Sequence, residues 1–257
     1  SMLTLDRNNL INYGALILGM SGTGKSFTAK REILDKYFRT NDNIIICDPQ
    51  AEYITLTKEL GGTVIEISAT SKHHLNPFDI NLRSYEKGDD PVAIKSQFIL
   101  SMCEAAIGNL EAAEKSIIDR CIRKIYQKYL DDPNPENIPV FKDLYNALRS
   151  VENNLHAQDV ADALEIFVTG SLSVFNHRTN VDVNNRILCF DIRKLSEHLH
   201  KMGILVIVDY VWNKISNSRD KNLSTWFYID EFHLLLNDPL TAAYSTKMWK
   251  ELRKWGG

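Results

Sequence analysis

Cysteine is scarce in this sequence: Cys47, Cys103, Cys121 and Cys189 form no C-x-x-C pair and have no histidine at ligand spacing. That excludes a disulfide framework and a Cys/His zinc site, and reads as buried thiols in a reducing compartment. The pattern of a basic stretch followed by an apolar core, as in a secretory signal, is missing at the start. Long hydrophobic runs are missing too. The longest, residues 203–208, stops at Asp209, well short of the ~18 residues a spanning helix needs, so membrane association is expected to be peripheral. Excess positive charge is absent, since 30 Lys and Arg stand against 33 Asp and Glu for a formal charge of −3. A uniformly basic nucleic-acid binder is thereby excluded, while a local basic stripe stays open. There is no internal repeat and no low-complexity tract. What is there, 44% hydrophobic and 25% charged residues in a chain of 257, is enough apolar material for one large domain or two modest ones.

The chain is organised around Gly19-Met20-Ser21-Gly22-Thr23-Gly24-Lys25-Ser26, which follows the apolar residues 15–18 and precedes helix-like spacing. The pattern G-x-x-x-x-G-K-[ST] lets successive backbone N–H groups curl round phosphates at the positive end of a helix. Lys25 then reaches the β- and γ-phosphates and Ser26 holds Mg²⁺ through its hydroxyl, with Gly19, Ser21, Gly22, Thr23, Gly24 and Phe27 completing the nucleotide contacts.

Residues 12–18 have the content of a buried first strand, and 26–38 place Phe27, Ile33, Leu34 and Tyr37 on or near one helix face. Residues 43–47 (NIIIC) and 63–67 (TVIEI) read as further strands, with a helix over 51–60 stopped by Gly61-Gly62. This β-α-β-α-β order predicts a parallel sheet. From 84 to 170 no strand is evident, while Leu110, Ala113, Ile117, Cys121, Ile125 and Tyr129 keep helical spacing. The expected division is therefore an α/β domain of residues 1–83 and 171–257 with an all-helical insertion of residues 84–170. The sheet resumes at 186–191 and 225–230; residues 201–215 fit a buried strand or helix, and length favours helix. A last helix is expected over 239–255.

The strand Trp226-Phe227-Tyr228-Ile229 ends in Asp230-Glu231, the form of a Walker B element. Asp230 would bind Mg²⁺, and Glu231 would polarise the attacking water as general base. An N-K-x-D base-reading motif and a D-x-x-G switch are both absent, which excludes the GTPases, and no Arg-rich kinase lid is identifiable. The chemistry indicated is ATP hydrolysis. Asp48 and Glu52, in Asp48-Pro49-Gln50-Ala51-Glu52-Tyr53, either touch the metal and its water or serve locally, Asp48 as a helix cap. Arg178, Arg186 and Arg253 are the candidates for a cation from a neighbouring subunit. His73-His74 and the pair His198 and His200 read as ordinary loop and helix residues.

The set GMSGTGKSFTAK, IICDPQAEY, LNPFDI, RTNVDVNNRILCFDIRKL, WFYIDEFH and ELRKWGG resembles the C-terminal ATPase domain of the type IV secretion ATPases, the fourth VirB component and its TraC, TraE and TrbE relatives, within the HerA/FtsK group. The resemblance implies a RecA-like P-loop NTPase, α/β with a mostly parallel sheet and an inserted all-α domain. It further implies ATP bound at subunit edges of a hexamer, and other channel components as partners at the cytoplasmic face of the bacterial cell membrane. By the same resemblance Lys25 and Ser26 are Walker A, Asp230 and Glu231 are Walker B, and Arg253 lies in a basic motif. The family continues past the position of Gly257 into a strand between the Walker A and Walker B strands, so a fragment of a longer protein, weak in hydrolysis by itself, is expected. Two alternatives stand beside the secretion motor: a coupling-type translocase that pumps DNA, and a non-hydrolysing assembly scaffold.

Overall fold

The computed structural model describes residues 14–20, 22–82, 88, 90–218, 223–236, 242, 243 and 246. In chain order these form α1 (Lys25–Arg39), β1 (Asn43–Asp48), α2 (Ile54–Glu59), β2 (Thr63–Glu66), α3 (Pro91–Ile107), α4 (Ala112–Asp131), α5 (Phe141–Arg149), α6 (Leu155–Val168), β3 (Ile187–Asp191), α7 (Glu197–Ser218), β4 (Thr225–Ile229) and α8 (His233–Leu236). The four strands make one parallel sheet in the order β2-β3-β1-β4. Register places Ile45 beside Leu188 on one side and Phe227 on the other.

Because side chains alternate along a strand, the central strands feed two cores at once. Ile44, Ile46, Ile187 and Cys189 face α1 and α2, where Ile33 and Tyr53 cover them. Ile45, Cys47, Leu188 and Phe190 face α7 and the helical layer in a cluster that continues through α3 to α6. The all-apolar stretch at 203–208 is helix, as its length suggested. Leu199, Met202, Leu205, Val206, Ile207, Val208 and Val211 are all buried because α7 lies between the sheet and α3, and a helix covered on both sides is apolar nearly all round.

The helices of the insertion start where the local chemistry allows. Asp90 Oδ1 accepts the Ala93 N–H at 3.0 Å ahead of Pro91 at the first turn, and Asn154 Oδ1 accepts the Ala157 N–H at 3.0 Å. On α4 the expected stripe is buried at Ile117, Cys121 and Tyr129, while Asp119 and Arg123 pair at 3.0 Å on its outer side. The segment Asn76-Pro77-Phe78-Asp79-Ile80 ties this layer to the sheet. Its carbonyls at Pro77, Phe78 and Ile80 accept from Lys95 (3.3 Å), Tyr126 (2.6 Å) and Tyr129 (3.4 Å), and Asn76 Nδ2 donates to the Pro139 carbonyl at 2.9 Å.

One expected element is corrected. Residues 14–20 are not a strand, and Leu16 and Leu18 are 62% and 82% exposed. A run of apolar residues becomes a strand only when a neighbour supplies N–H and C=O groups. The sheet ends at β4, and no strand among the described residues lies against the outer edge of β4 to carry pairing on to residues 14–20. The helix at 51–60 is shorter than expected, beginning at Ile54, since Asp48 holds residues 49–53 as a loop. Residues 12 and 13 and most of the helix expected at 239–255 lie outside the described residues.

Candidate nucleotide-binding site

The glycine loop opens onto α1 with the backbone its sequence requires. Gly22 and Gly24 have φ of 78° and 90°, a region that side chains disfavour. At Gly19 an added Cβ would lie 2.5 Å from Thr23 Oγ1. That hydroxyl donates to the Met20 carbonyl at 2.7 Å, and Lys25 Nζ donates to the same oxygen at 3.1 Å. Gly24 caps α1 without a side-chain bond, and the first turn carries no acidic residue. Its N–H groups are therefore left for an anion, reinforced by the positive end of the helix. Phe27, expected among the nucleotide contacts, is 72% exposed beside the loop. Ser21 lies outside the described residues.

At the carboxyl end of the sheet, the Asp230 N–H donates to the Cys47 carbonyl at 3.1 Å, setting the end of β4 beside that of β1. Burial pushes the Asp230 carboxyl above its ordinary value; the Glu231 N–H opposes this, and the negative charges of Glu52, Glu231 and Asp48 add to it. Glu231 has a φ of 49°. Its Oε1 accepts from Gln50 Nε2 at 3.0 Å, and His233 Nδ1 lies 3.1 Å from its Oε2.

The loop after β1 joins these two halves. Asp48 is fully buried, and its carboxylate accepts the Glu52 N–H at 3.0 Å and the Tyr53 N–H at 2.8 Å. Of the two readings open for Asp48, the geometry matches the local one: it shapes the loop. Tyr53 is 2% exposed, and its phenol is pushed up by burial first and then by the charge of Asp230. Lys30, on α1, lies 3.9 Å from Glu52 and 5.3 Å from the centre of the Tyr53 ring, so α1 meets this loop. Sequence reasoning missed Gln50, Tyr53 and Lys30. A signal existed for Lys30, four residues after Ser26 and hence on the same helix face.

Two of the three candidate arginines are occupied within the chain. Arg186 donates to the carbonyls of Asp42 and Tyr37, each at 2.9 Å, and to those of Lys36 and Thr40, binding the end of α1. Arg178 donates to the carbonyls of Pro135 (3.0 Å) and Ile138 (2.9 Å) and to that of Glu136. Arg253 lies outside the described residues. Of the histidines, His73 Nδ1 accepts the Glu66 N–H at 3.1 Å and His74 stacks on His177 with ring centres 4.1 Å apart. All four cysteines are free and buried, and burial pushes the Cys47 and Cys103 thiols up to about 12, which leaves them inert.

A glycine loop that opens an uncapped helix, faced by a strand ending in Asp-Glu at the carboxyl end of a parallel sheet, defines a nucleotide-binding P-loop NTPase. Within that class the model of the TraG P-loop domain matches residues 1–257, and the chain belongs to this family. Its fold is similar to that of VirB4 of Thermoanaerobacter pseudethanolicus, with a TM-score of 0.79 over 91% of each chain at 24% identity. A comparison with curated protein sequences finds no match.

Proposed function

We propose that this chain is the ATP-hydrolysing motor domain of a type IV secretion or conjugation system. It works as a homo-oligomer, expected to be a hexamer, on the cytoplasmic face of a bacterial membrane beside other channel components. No helix of the described residues is long and apolar enough to cross a membrane. The observation that supports the reading is the glycine loop, with Gly22 and Gly24 at φ of 78° and 90°, opening α1 without a side-chain cap while β4 ends in Asp230, whose N–H donates to the Cys47 carbonyl at 3.1 Å. Family membership supports the type IV secretion assignment.

In this reading the N–H groups of Gly22, Thr23 and Gly24 with the ammonium of Lys25 hold the phosphates of ATP, and Lys25 exchanges the Met20 carbonyl for phosphate oxygen. Ser26 and Asp230 would hold Mg²⁺, which when bound withdraws charge from the phosphate oxygens. Glu231 accepts the proton of the attacking water at a carboxylate oxygen. Lys25→Ala should then abolish ATP binding, whereas Glu231→Gln should retain binding and lose about 100-fold in phosphate release. Equal turnover in Glu231→Gln and the unaltered protein would overturn this reading, and DNA-stimulated turnover would move it to a DNA pump.

A further inference from the structure

We infer that Gln50 is a positioning residue that holds Glu231 in a resting orientation, a regulation that rests on the ATPase reading above. Three observations carry it. Glu231 Oε1 accepts from Gln50 Nε2 at 3.0 Å, with His233 Nδ1 lying 3.1 Å from Oε2. Its φ of 49° is one that a side-chain-bearing residue rarely adopts, so the surroundings must hold it there. Lys25 is likewise turned onto the protein itself, at the Met20 carbonyl. The two groups that would act on the terminal phosphate and its water are thus both satisfied internally.

A hydrogen bond donated by Gln50 holds the Glu231 carboxylate toward Gln50 and lowers its basicity, so release of that bond favours taking a proton from water. Gln50 sits in the loop that Asp48 fixes and that Lys30 of α1 reaches at Glu52, 3.9 Å away. A shift of α1 on phosphate binding therefore pulls the same loop from which Gln50 reaches Glu231. Gln50 is exposed while Glu231 is partly covered, so the release can occur without opening the core.

The test compares Gln50→Met, which keeps length and removes the donor, and Gln50→Glu, which adds a repelling charge, with the unaltered chain. Both variants should raise kcat about fivefold, the scale of one ordinary solvent-exposed hydrogen bond, while KM for ATP stays within about twofold. A fall in kcat, or no change, overturns the latch. A double-mutant cycle between Gln50→Met and Glu231→Ala on the melting temperature adds a readout independent of turnover. Coupling should be present in the nucleotide-free protein and lost with a non-hydrolysable ATP analogue and Mg²⁺; coupling that is absent at the outset or survives the analogue refutes the proposal. If all forms bind the analogue and none releases phosphate, the ATPase reading fails while the cycle still decides the role of Gln50.

Discussion

Asp48→Asn separates a carboxylate that shapes a loop from one that serves a metal. The Asp48 side chain has no exposed surface and accepts two backbone N–H groups, those of Glu52 at 3.0 Å and Tyr53 at 2.8 Å. An amide keeps one acceptor and turns a donor toward the second N–H. The change forfeits one hydrogen bond to a charged group and strands a buried donor, about 3 kcal/mol together. For a chain of this size that corresponds to a fall of about 6–12 °C in melting temperature without nucleotide. The Glu52 and Tyr53 amides should also lose protection from hydrogen exchange, since their acceptor is what holds them. Affinity for an ATP analogue should fall as well, because Glu52 is the loop's link to Lys30 on the helix that follows the phosphate loop. Unchanged stability, with a rise only in the Mg²⁺ needed for analogue binding, would show that Asp48 serves the metal and refute the local reading.

Two further outcomes test the packing between sheet and helical layer. Lys95 is 1% exposed, and its ammonium lies 2.7 Å from Asp209, so Lys95→Met should cost about 3–5 kcal/mol in urea unfolding by stranding a buried carboxylate. Lys95→Met with Asp209→Leu should recover most of that loss, and additive losses would contradict it. Burial is also the chief cause that pushes the Asp79 carboxyl above its ordinary 3.8, with Thr179 and Lys95 opposing. A carboxyl whose pKa is raised by folding binds its proton more tightly when folded, so its contribution is present below 3.8 and lost as pH rises through the higher folded value. Asp79→Asn should flatten that loss, checked by urea unfolding at stepped pH; an identical pH profile would show that Asp79 contributes none of it.

Some of the site was legible in the chain because its signals are local. Gly22 and Gly24 take the positive φ that only their sequence position makes easy, and Asp230-Glu231 falls at a strand end because an apolar run stops there. Gln50 and Tyr53 were not legible in the same way. Tyr53 carries an aromatic side chain that fits any core, and its place in the cluster with Ile33, Ile44 and Ile46 depends on how α1 lies across β1. Arg186 looked like a cation available to a neighbour, yet the carbonyls at the end of α1 take it up, a consequence of β3 running beside β1.

The sequence by itself determined the central strands, the helical character of the stretch between β2 and β3 and the phosphate loop, since each is written as a period or spacing within a short window: continuous β-branched residues at 44–46, a recurring apolar face along 110–129, and glycines at fixed offsets before Lys25. Only the tertiary structure decided that residues 14–20 stand outside the sheet, that Arg186 is taken up by the carbonyls at the end of α1, and that Asp48 faces backbone N–H groups. These depend on a strand edge to pair with, on carbonyls about 150 residues away, and on donors brought round by a loop. Composition fixes what a segment can form, and its neighbours in space select which of those forms it takes.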